Sequence, residues 1–301
     1  MAFLIPEGAP GGKRSAGLVS CHSVRIEQIE EADATGEVAA FYADFRATLR
    51  ASFVPTVFRS LARHPGWLFP AWRALGPDLA TAAAEKGAAA LRRACVDRLA
   101  ACVPAAPSPP LDRGSREDIR AVLETFAYVI PKAWLAVTAL REAVEGRPLA
   151  GMAAADRTAL PRGVPPRMPP IPLLPEAPDE PRVREIFEAA RERLGRPAVP
   201  SLYRTLGRWP AYLAAVWQQV IEPGPLARYR AEIPELIGEA VRAARALPYP
   251  VALAKPAPDE VAAVLAVYQR NMPETLLQIL RLLGDLCGRE VTRGPLGVAT
   301  G

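Results

Sequence analysis

Several residue types that build catalytic and metal sites are scarce in this 301-residue sequence. It has two histidines, His22 and His64, and four cysteines that form no C-x-x-C pair. A zinc or haem site needs several such ligands at short spacing, so we expect no metal and no other cofactor. Cys95 and Cys102, seven residues apart, fit one buried face of a helix. The sequence also has no G-x-S-x-G elbow, no P-loop and no G-x-G-x-x-G after a strand. It therefore lacks the common sequence motifs of serine hydrolases and of nucleotide-binding proteins.

Lysine and long apolar runs are also scarce. Four lysines contribute to a formal net charge of +5, so arginine dominates, and the arginines alternate with acidic residues. No basic run with interleaved aromatics occurs, so we expect a solvated surface and no nucleic-acid partner. No apolar run approaches the roughly 18 residues of a membrane span, and the apolar start at residues 1–5 is too short for a secretory signal. The sequence therefore predicts a cytoplasmic protein without a membrane partner.

The residues that are abundant favour helices. Ala, Leu, Arg and Glu outnumber the β-branched residues, and no stretch alternates apolar and polar residues between turns. With 50% hydrophobic residues the chain can bury a large core. We therefore predict an all-α fold.

One phrase occurs twice, in residues 55–72 and again 145 residues later in 200–217. The identical pairs are Pro55/Pro200, Arg59/Arg204, Leu61/Leu206, Arg63/Arg208, Pro65/Pro210, Leu68/Leu213 and Trp72/Trp217. A second block recurs at an offset of 142, with Leu123/Leu265, Phe126/Tyr268, Pro131/Pro273, Leu135/Leu277, Leu140/Leu282 and Gly146/Gly288. The pattern predicts two tandem helical repeats that pack as an intramolecular pseudo-dimer, and an interface of that kind commonly holds a pocket.

The repeats divide the chain into five segments. We predict a flexible tail over 1–23, repeat 1 over 24–146, a proline-rich linker over 147–180, repeat 2 over 181–290 and a C-terminal tail over 291–301. Predicted helices cover 36–49, 84–102, about 183–194 and about 227–247, and others begin at Pro65 and Pro210. Residues Ser115 to Asp118 match a capping box, which predicts a helix over 115–128 followed by another over 131–144. The corresponding helices in the second half are predicted over 259–271 and 273–287.

Over residues 30 to 288 the sequence resembles the group I 2-haloacid dehalogenases, also called halocarboxylic acid dehydrogenases, which act on D- and L-substrates. The residues that carry the resemblance, in order, are Thr48-Leu49-Arg50, Leu61-Ala62, Pro65-Gly66, Ala71-Trp72-Arg73, Tyr128, Pro131-Lys132, Thr138-Ala139-Leu140, Arg147-Pro148, Trp209-Pro210 and Tyr268-Gln269-Arg270. The resemblance implies a helical pseudo-dimer with the active site between its repeats. It also implies direct attack on substrate C2 by a water that a carboxylate deprotonates.

Two positions depart from the family pattern. The family's catalytic Asp, just ahead of Trp209-Pro210, falls on Leu202, and its supporting Asn falls on Ala127. No Asp or Glu occurs between Glu192 and Glu222. Since leucine cannot accept a proton, we expect no hydrolytic dehalogenation by the family mechanism.

The resemblance also implies a set of pocket residues that would bind a small organic acid. These are Phe53, Thr56, Tyr128, Ser201, Tyr203, Tyr268 and Gln269. Alternatively, the aromatic members pack the interface between the repeats and Gln269 is an ordinary polar residue near a helix end. Arg59 and Arg204 either bind a carboxylate in bidentate fashion or form an ion pair at a helix end or between the repeats.

Three functions are compatible with these residues. The first is a dehalogenase-like protein whose pocket binds a small carboxylic acid without hydrolysing the carbon–halogen bond. The second is a non-catalytic helical scaffold that binds a partner through a filled pocket. The third is an active dehalogenase in which another acid, such as Asp44 or Glu37, supplies the base. The sequence does not define assembly beyond the internal pseudo-dimer.

Overall fold

The computed structural model describes residues 27–147, 149–196, 198–221 and 223–299, and its regular structure there is helical. The eleven α-helices of these residues are α1 (Gly36–Leu49), α2 (Thr56–Leu61), α3 (Pro65–Leu79), α4 (Ala82–Cys102), α5 (Arg113–Val144), α6 (Pro181–Leu194), α7 (Ser201–Leu206), α8 (Pro210–Ile221), α9 (Pro223–Arg245), α10 (Asp259–Cys287) and α11 (Arg289–Arg293). Apart from two isolated bridges no strand pairing occurs in these ranges, which confirms the all-α prediction. The predicted tail over 1–23, with Cys21 and His22, lies outside the described residues.

The phrase that occurs twice folds the same way in both places. Pro65 and Pro210 are the first residues of α3 and α8, where a missing N–H costs no hydrogen bond. The preceding helices α1 and α6 both end in a left-handed residue, Arg50 at φ 56° and Gly195 at φ 60°. This conformation has no steric cost for Gly195, which lacks a Cβ. For Arg50 it is less favourable, because its Cβ crowds the backbone. The duplication itself stays a prediction.

The predicted helix breaks at two prolines are wrong. Residues 113–144 form one helix through Pro131, and residues 259–287 form one helix through Pro273. An interior proline costs about 3 kcal/mol because a hydrogen bond is lost and the ring crowds the preceding turn. Burial offsets this cost: Trp134 and Leu135 beside Pro131 have no exposed surface, and a buried side chain of this size contributes about 1.5–3 kcal/mol.

The start of α5 also differs from the prediction. Asp112, rather than Ser115, caps the helix, since its Oδ1 accepts a hydrogen bond from the Ser115 N–H at 2.9 Å. The helix therefore begins at Arg113, and Ser115 lies in its first turn. An aspartate at the N-cap is as good an acceptor as serine, so the helix begins at Arg113, earlier than predicted.

Helices α5 and α10 form the centre of the core and make the most extensive helix–helix contact. Contrary to the sequence expectation, α5 contains an 18-residue window with a mean hydropathy of 1.2, which is long and apolar enough for a membrane span. Because 94% of that window is buried inside the protein, α5 has the properties of a core helix. Cys95 on α4 is buried as predicted, and burial raises the pKa of its thiol. The cytoplasmic location stays a prediction.

Residues 149–180 connect α5 to α6 without a helix and cross much of the molecule. Backbone hydrogen bonds join this segment to four places, from Met152 N to Leu247 O at 2.8 Å, Ala82 N to Thr158 O at 2.8 Å, Gly163 N to Ala47 O at 2.9 Å and Leu174 N to Arg204 O at 3.2 Å. The segment is therefore held against both halves of the chain. At the other end, Leu296 and Val298 are buried, so residues 294–299 pack against the core and do not form the predicted tail.

Asp78 at the end of α3 provides a test of how burial controls stability. Its carboxyl is fully buried, Oδ1 accepts from the Tyr249 N–H at 2.8 Å, and Oδ2 has no hydrogen-bond partner among the described residues. Burial raises its pKa from 3.8 to about 6. The protonated carboxyl therefore stabilises the fold below the ordinary pKa, and this contribution is lost as the pH rises through about 6.

Replacing Asp78 with asparagine should stabilise the protein at pH 8 by about 1–3 kcal/mol and have little effect at pH 4. The amide keeps the acceptor for Tyr249 and removes the buried charge. Urea unfolding at both pH values measures the difference. Asp118→Asn, at an exposed carboxylate in the second turn of α5, is the control and should show no comparable gain. A variant that is less stable than the wild type at pH 8 would contradict the argument.

Candidate functional site

A cavity of about 60 Å³ lies where α2, α5, α7 and α10 meet. At roughly 10–15 Å³ for each water-sized group, it has room for about four to six such groups. The lining residues are Phe53, Pro55, Thr56, Val57, Phe126, Ile130, Arg196, Ala198, Pro200, Ser201, Leu202, Tyr268, Asn271, Met272 and Thr275. Both copies of the repeated phrase contribute to this wall, at the start of α2 and at the start of α7.

A pair of hydroxyl groups forms one wall of the cavity. Thr56 and Ser201 are the first residues of α2 and α7, and Thr56 Oγ1 lies 3.0 Å from Ser201 Oγ. The guanidinium of Arg59 donates from Nη2 to both oxygens, at 3.1 Å and 3.4 Å. The bond between the hydroxyls uses one of their two protons. The other proton is left to donate to an acceptor in the cavity.

Arg59 and Arg204 form an ion-pair network behind this wall. Arg59 is fully buried and Arg204 nearly so. Both face one carboxylate, since Arg59 Nη1 lies 3.6 Å from Glu30 Oε2 and Arg204 Nη1 lies 2.7 Å from Glu30 Oε1. Burial lowers the pKa of Arg59. Since neither arginine lines the cavity, the geometry favours the predicted ion pair over direct binding of a substrate carboxylate by these two residues.

Arg196 supplies the positive charge that does line the cavity. Its Nη2 donates to Glu274 Oε1 at 2.7 Å and to Asn271 O at 3.1 Å. Its Nε is buried and has no hydrogen-bond partner within the described part of the chain. Desolvation lowers the pKa of this guanidinium, while Glu274 counteracts the shift. A bound acceptor at Nε would therefore satisfy a donor that is otherwise left unpaired.

The remaining walls come from the two central helices. On α10, Tyr268, Asn271 and Thr275 share one face at helical spacing, and on α5 Phe126 and Ile130 do so. Phe53 packs on Phe126 with ring centroids 4.9 Å apart. Burial raises the pKa of Tyr268 to about 12, so its phenol is neutral at physiological pH. The described lining residues include no Asp, Glu or His, and hence no ordinary general base.

The structure brings four of the seven sequence-predicted binding residues to this cavity: Phe53, Thr56, Ser201 and Tyr268. Leu202, where the sequence resemblance places the family's catalytic Asp, lines it as well. Tyr203 does not, because its hydroxyl donates to Gln278 Oε1 at 3.0 Å and its ring packs edge-on against Trp217. Ser201 and Tyr203 differ in this way because residues two apart on a helix point about 200° apart.

Three further positions from the sequence analysis lie elsewhere. Gln269 is buried and accepts a hydrogen bond from Arg141. The Tyr128 hydroxyl donates to Glu85 Oε2 at 3.4 Å. Both Tyr128 and Ala127 line a second cavity. We therefore leave Tyr128, Tyr203 and Gln269 out of the candidate site. On this part of α5 the residues that face the first cavity are Phe126 and Ile130.

Three further residues that line the cavity, Arg196, Asn271 and Thr275, were not predicted from the sequence. Asn271 carried a signal, as the single asparagine in the chain, but nothing in the sequence connected it to Ser201. Arg196 precedes the repeated phrase and has alanine, Ala51, at the corresponding position of the first half. Its role follows only from the way the loop after α6 meets α10.

The two acids considered as substitute bases lie outside the cavity. Asp44 on α1 accepts hydrogen bonds from Trp72 Nε1 and Arg162 Nη2, each at 2.6 Å. These contacts lower the pKa of Asp44 against an opposing effect of burial. Glu37 is exposed in the first turn of α1. Neither side chain is among the lining residues.

Comparison with known proteins assigns the chain to a family. The family model for halocarboxylic acid dehydrogenase DehI matches residues 52–194. A configuration-inverting 2-haloacid dehalogenase from Alcaligenes xylosoxydans xylosoxydans is 30% identical over 285 residues, which cover 87% of this chain and 94% of the relative. The chain belongs to the 2-haloacid dehalogenase family.

Other haloacid dehalogenases agree with this assignment. A configuration-inverting 2-haloacid dehalogenase from Pseudomonas sp. (strain 113) is 28% identical over 276 residues, covering 85% of this chain and 89% of the relative. The solved structure of a D-2-haloacid dehalogenase mutant superposes with a TM-score of 0.80 at 22% identity, covering 89% of this chain and 97% of that one. This family member therefore has the helical fold of that enzyme.

Proposed function

We propose that this 2-haloacid dehalogenase family member binds a small 2-substituted carboxylic acid in the first cavity but does not hydrolyse its carbon–halogen bond. The observation that carries the proposal is Leu202, which occupies the position matched to the family's catalytic Asp and lines the cavity. Among the described lining residues no carboxylate or imidazole takes its place.

The cavity offers partners for each part of such a ligand. The unpaired Nε–H of Arg196 suits a carboxylate oxygen, and the free hydroxyl proton of the Thr56–Ser201 pair suits a second acceptor. Phe53 and Phe126 provide an apolar surface for an alkyl group or a halogen. The volume of about 60 Å³ matches an acid of a few non-hydrogen atoms.

The same groups do not activate water. Thr56 and Ser201 accept from the Arg59 guanidinium, which makes their oxygens poor proton acceptors. The pKa of Tyr268, at about 12, keeps its phenol protonated. Loss of a general base alone costs about 10²- to 10⁴-fold in rate. No asparagine is present on α5 to support a water in place of the family's Asn.

Incubation with either enantiomer of 2-chloropropionate should release no halide above the rate without protein. Calorimetric titration with the same acid should nevertheless give saturable binding, which Ser201→Ala weakens and Arg270→Gln, at an exposed residue of α10, does not. Ion chromatography detects the chloride.

Two outcomes would support the alternative functions instead. Robust chloride release that Asp44→Asn abolishes would indicate an active enzyme with a relocated base. A folded protein that binds neither enantiomer would favour the scaffold function, in which the small cavity has no ligand.

We also propose that the two halves are one unit duplicated about a pseudo-twofold axis. Residues paired by the offset of 145 meet in space: Thr56 contacts Ser201, and Arg59 and Arg204 share Glu30. Contacts between equivalent residues are what an isologous interface produces. The candidate site lies at this meeting point.

A further inference from the structure

A second, larger cavity of about 360 Å³ lies between α4, α5 and residues 293–299. It borders the same turn of α5 as the first cavity, because Ala127 and Pro131 line it while Phe126 and Ile130 line the first. Nothing in the proposed function uses this space.

The charges around the second cavity are mainly positive. Arg92, Arg93, Lys132 and Arg293 line it, and Glu85 is the acid among the described lining residues. Glu85 pairs with Lys132, whose Nζ lies 2.6 Å from Glu85 Oε2. Arg92 and Arg93 form no ion pair within the described residues, and Glu85 and Glu124 act on Arg92 only from beyond ion-pair distance.

Arg92 is a buried lining residue with an unused hydrogen-bond donor. Its side chain is more than nine-tenths buried, with the residue 8% exposed, and its Nη2 donates to Gly294 O at 2.9 Å. Its Nη1 is buried and finds no hydrogen-bond acceptor in the described ranges. A buried guanidinium with an unsatisfied donor strongly favours a bound anion, because the fork geometry matches a carboxylate or phosphate.

The other walls are suited to the rest of an organic molecule. Lys132 is fixed in place, since it donates to Leu49 O at 3.1 Å and lies 3.7 Å above the centre of the Tyr128 ring. Ala88, Pro131 and Leu296 add apolar surface. The cavity therefore combines several cationic groups with space for a carbon skeleton.

We propose that this second cavity binds a small organic polyanion, a molecule with two or more carboxylate or phosphate groups. The two or more anionic groups would lie against Arg92 and Arg93, with the carbon skeleton on the apolar surface. This assignment is independent of the proposed function of the first cavity.

Isothermal titration calorimetry at low salt with citrate and with inorganic pyrophosphate tests the proposal. We expect saturable binding of at least one probe, and the tighter of the two indicates whether carboxylates or phosphates are preferred. Arg92→Gln should weaken this binding by about 10- to 100-fold. Arg93→Gln, at an exposed residue, should weaken it by about 3- to 10-fold.

Arg113→Gln, at an exposed arginine that pairs with Glu117 at the start of α5, is the matched control and should bind as the wild type does. Ser201→Ala, which alters the first cavity, should also leave this affinity unchanged. Since Arg92 also holds Gly294, thermal unfolding checks that Arg92→Gln is folded. No saturable binding of either probe, or equal affinities in Arg93→Gln and the wild type, would overturn the proposal.

Discussion

Replacing Arg196 with glutamine is expected to weaken binding of 2-chloropropionate by about 100-fold or more. Removing one partner of a buried charge pair typically costs about 2–5 kcal/mol of binding free energy. The variant should also lose about 2–3 kcal/mol of folding stability, somewhat less than is usual for a broken buried ion pair, because Arg230 still contacts Glu274 at 2.9 Å. Calorimetric titration and urea unfolding measure the two effects.

Arg196→Lys separates binding from stability. A lysine keeps the positive charge beside Glu274 and should therefore recover most of the free energy of folding. Its ammonium lacks the planar, fixed set of N–H donors of a guanidinium, so it should bind the acid weakly. Arg270→Gln serves again as the exposed control. If Arg196→Lys bound 2-chloropropionate as tightly as the wild type, the unpaired Nε of Arg196 would have no part in holding the carboxylate.

Local signals predicted much of the fold. The apolar spacing of α1 and α6, and Pro65 and Pro210 at the starts of their helices, are properties of a few neighbouring residues, and the structure has helices there. Pro131 and Pro273 carry an equally strong local signal for a break, yet both lie inside buried helices. Both helices continue because they are packed in the core against residues distant in sequence. The free energy of that burial outweighs the cost of the hydrogen bond that each proline removes.

The candidate site was predictable only in part, because side-chain direction and tertiary contacts decide which residues reach the cavity. The family resemblance named Ser201 and Tyr203 together, but residues two apart on a helix face nearly opposite directions, so only Ser201 reaches the cavity. Tyr268 and Gln269 are adjacent on α10 and point about 100° apart, and of these two only Tyr268 lines the cavity. Arg196 and Asn271 come together through tertiary packing of the loop after α6 against α10, and no spacing in the sequence encodes that contact.

Leu202→Asp is expected to give this protein slow dehalogenase activity. A carboxylate at this position would lie in the cavity beside Ser201, where it could deprotonate a water. We expect chloride release from 2-chloropropionate at about 10²- to 10⁴-fold above the wild-type background. Because Leu202 is 1% exposed, the substitution should also cost about 3 kcal/mol or more of stability.

Leu202→Asn is the matched control, since its amide has nearly the same shape and polarity but cannot accept the proton. Circular dichroism must show both variants folded at the assay temperature. Chloride release by Leu202→Asp alone would show that a carboxylate at this position of the cavity is the group that the reaction needs. Equal release by both variants would contradict that assignment, because a reaction that needs no proton acceptor at residue 202 does not follow the family's chemistry.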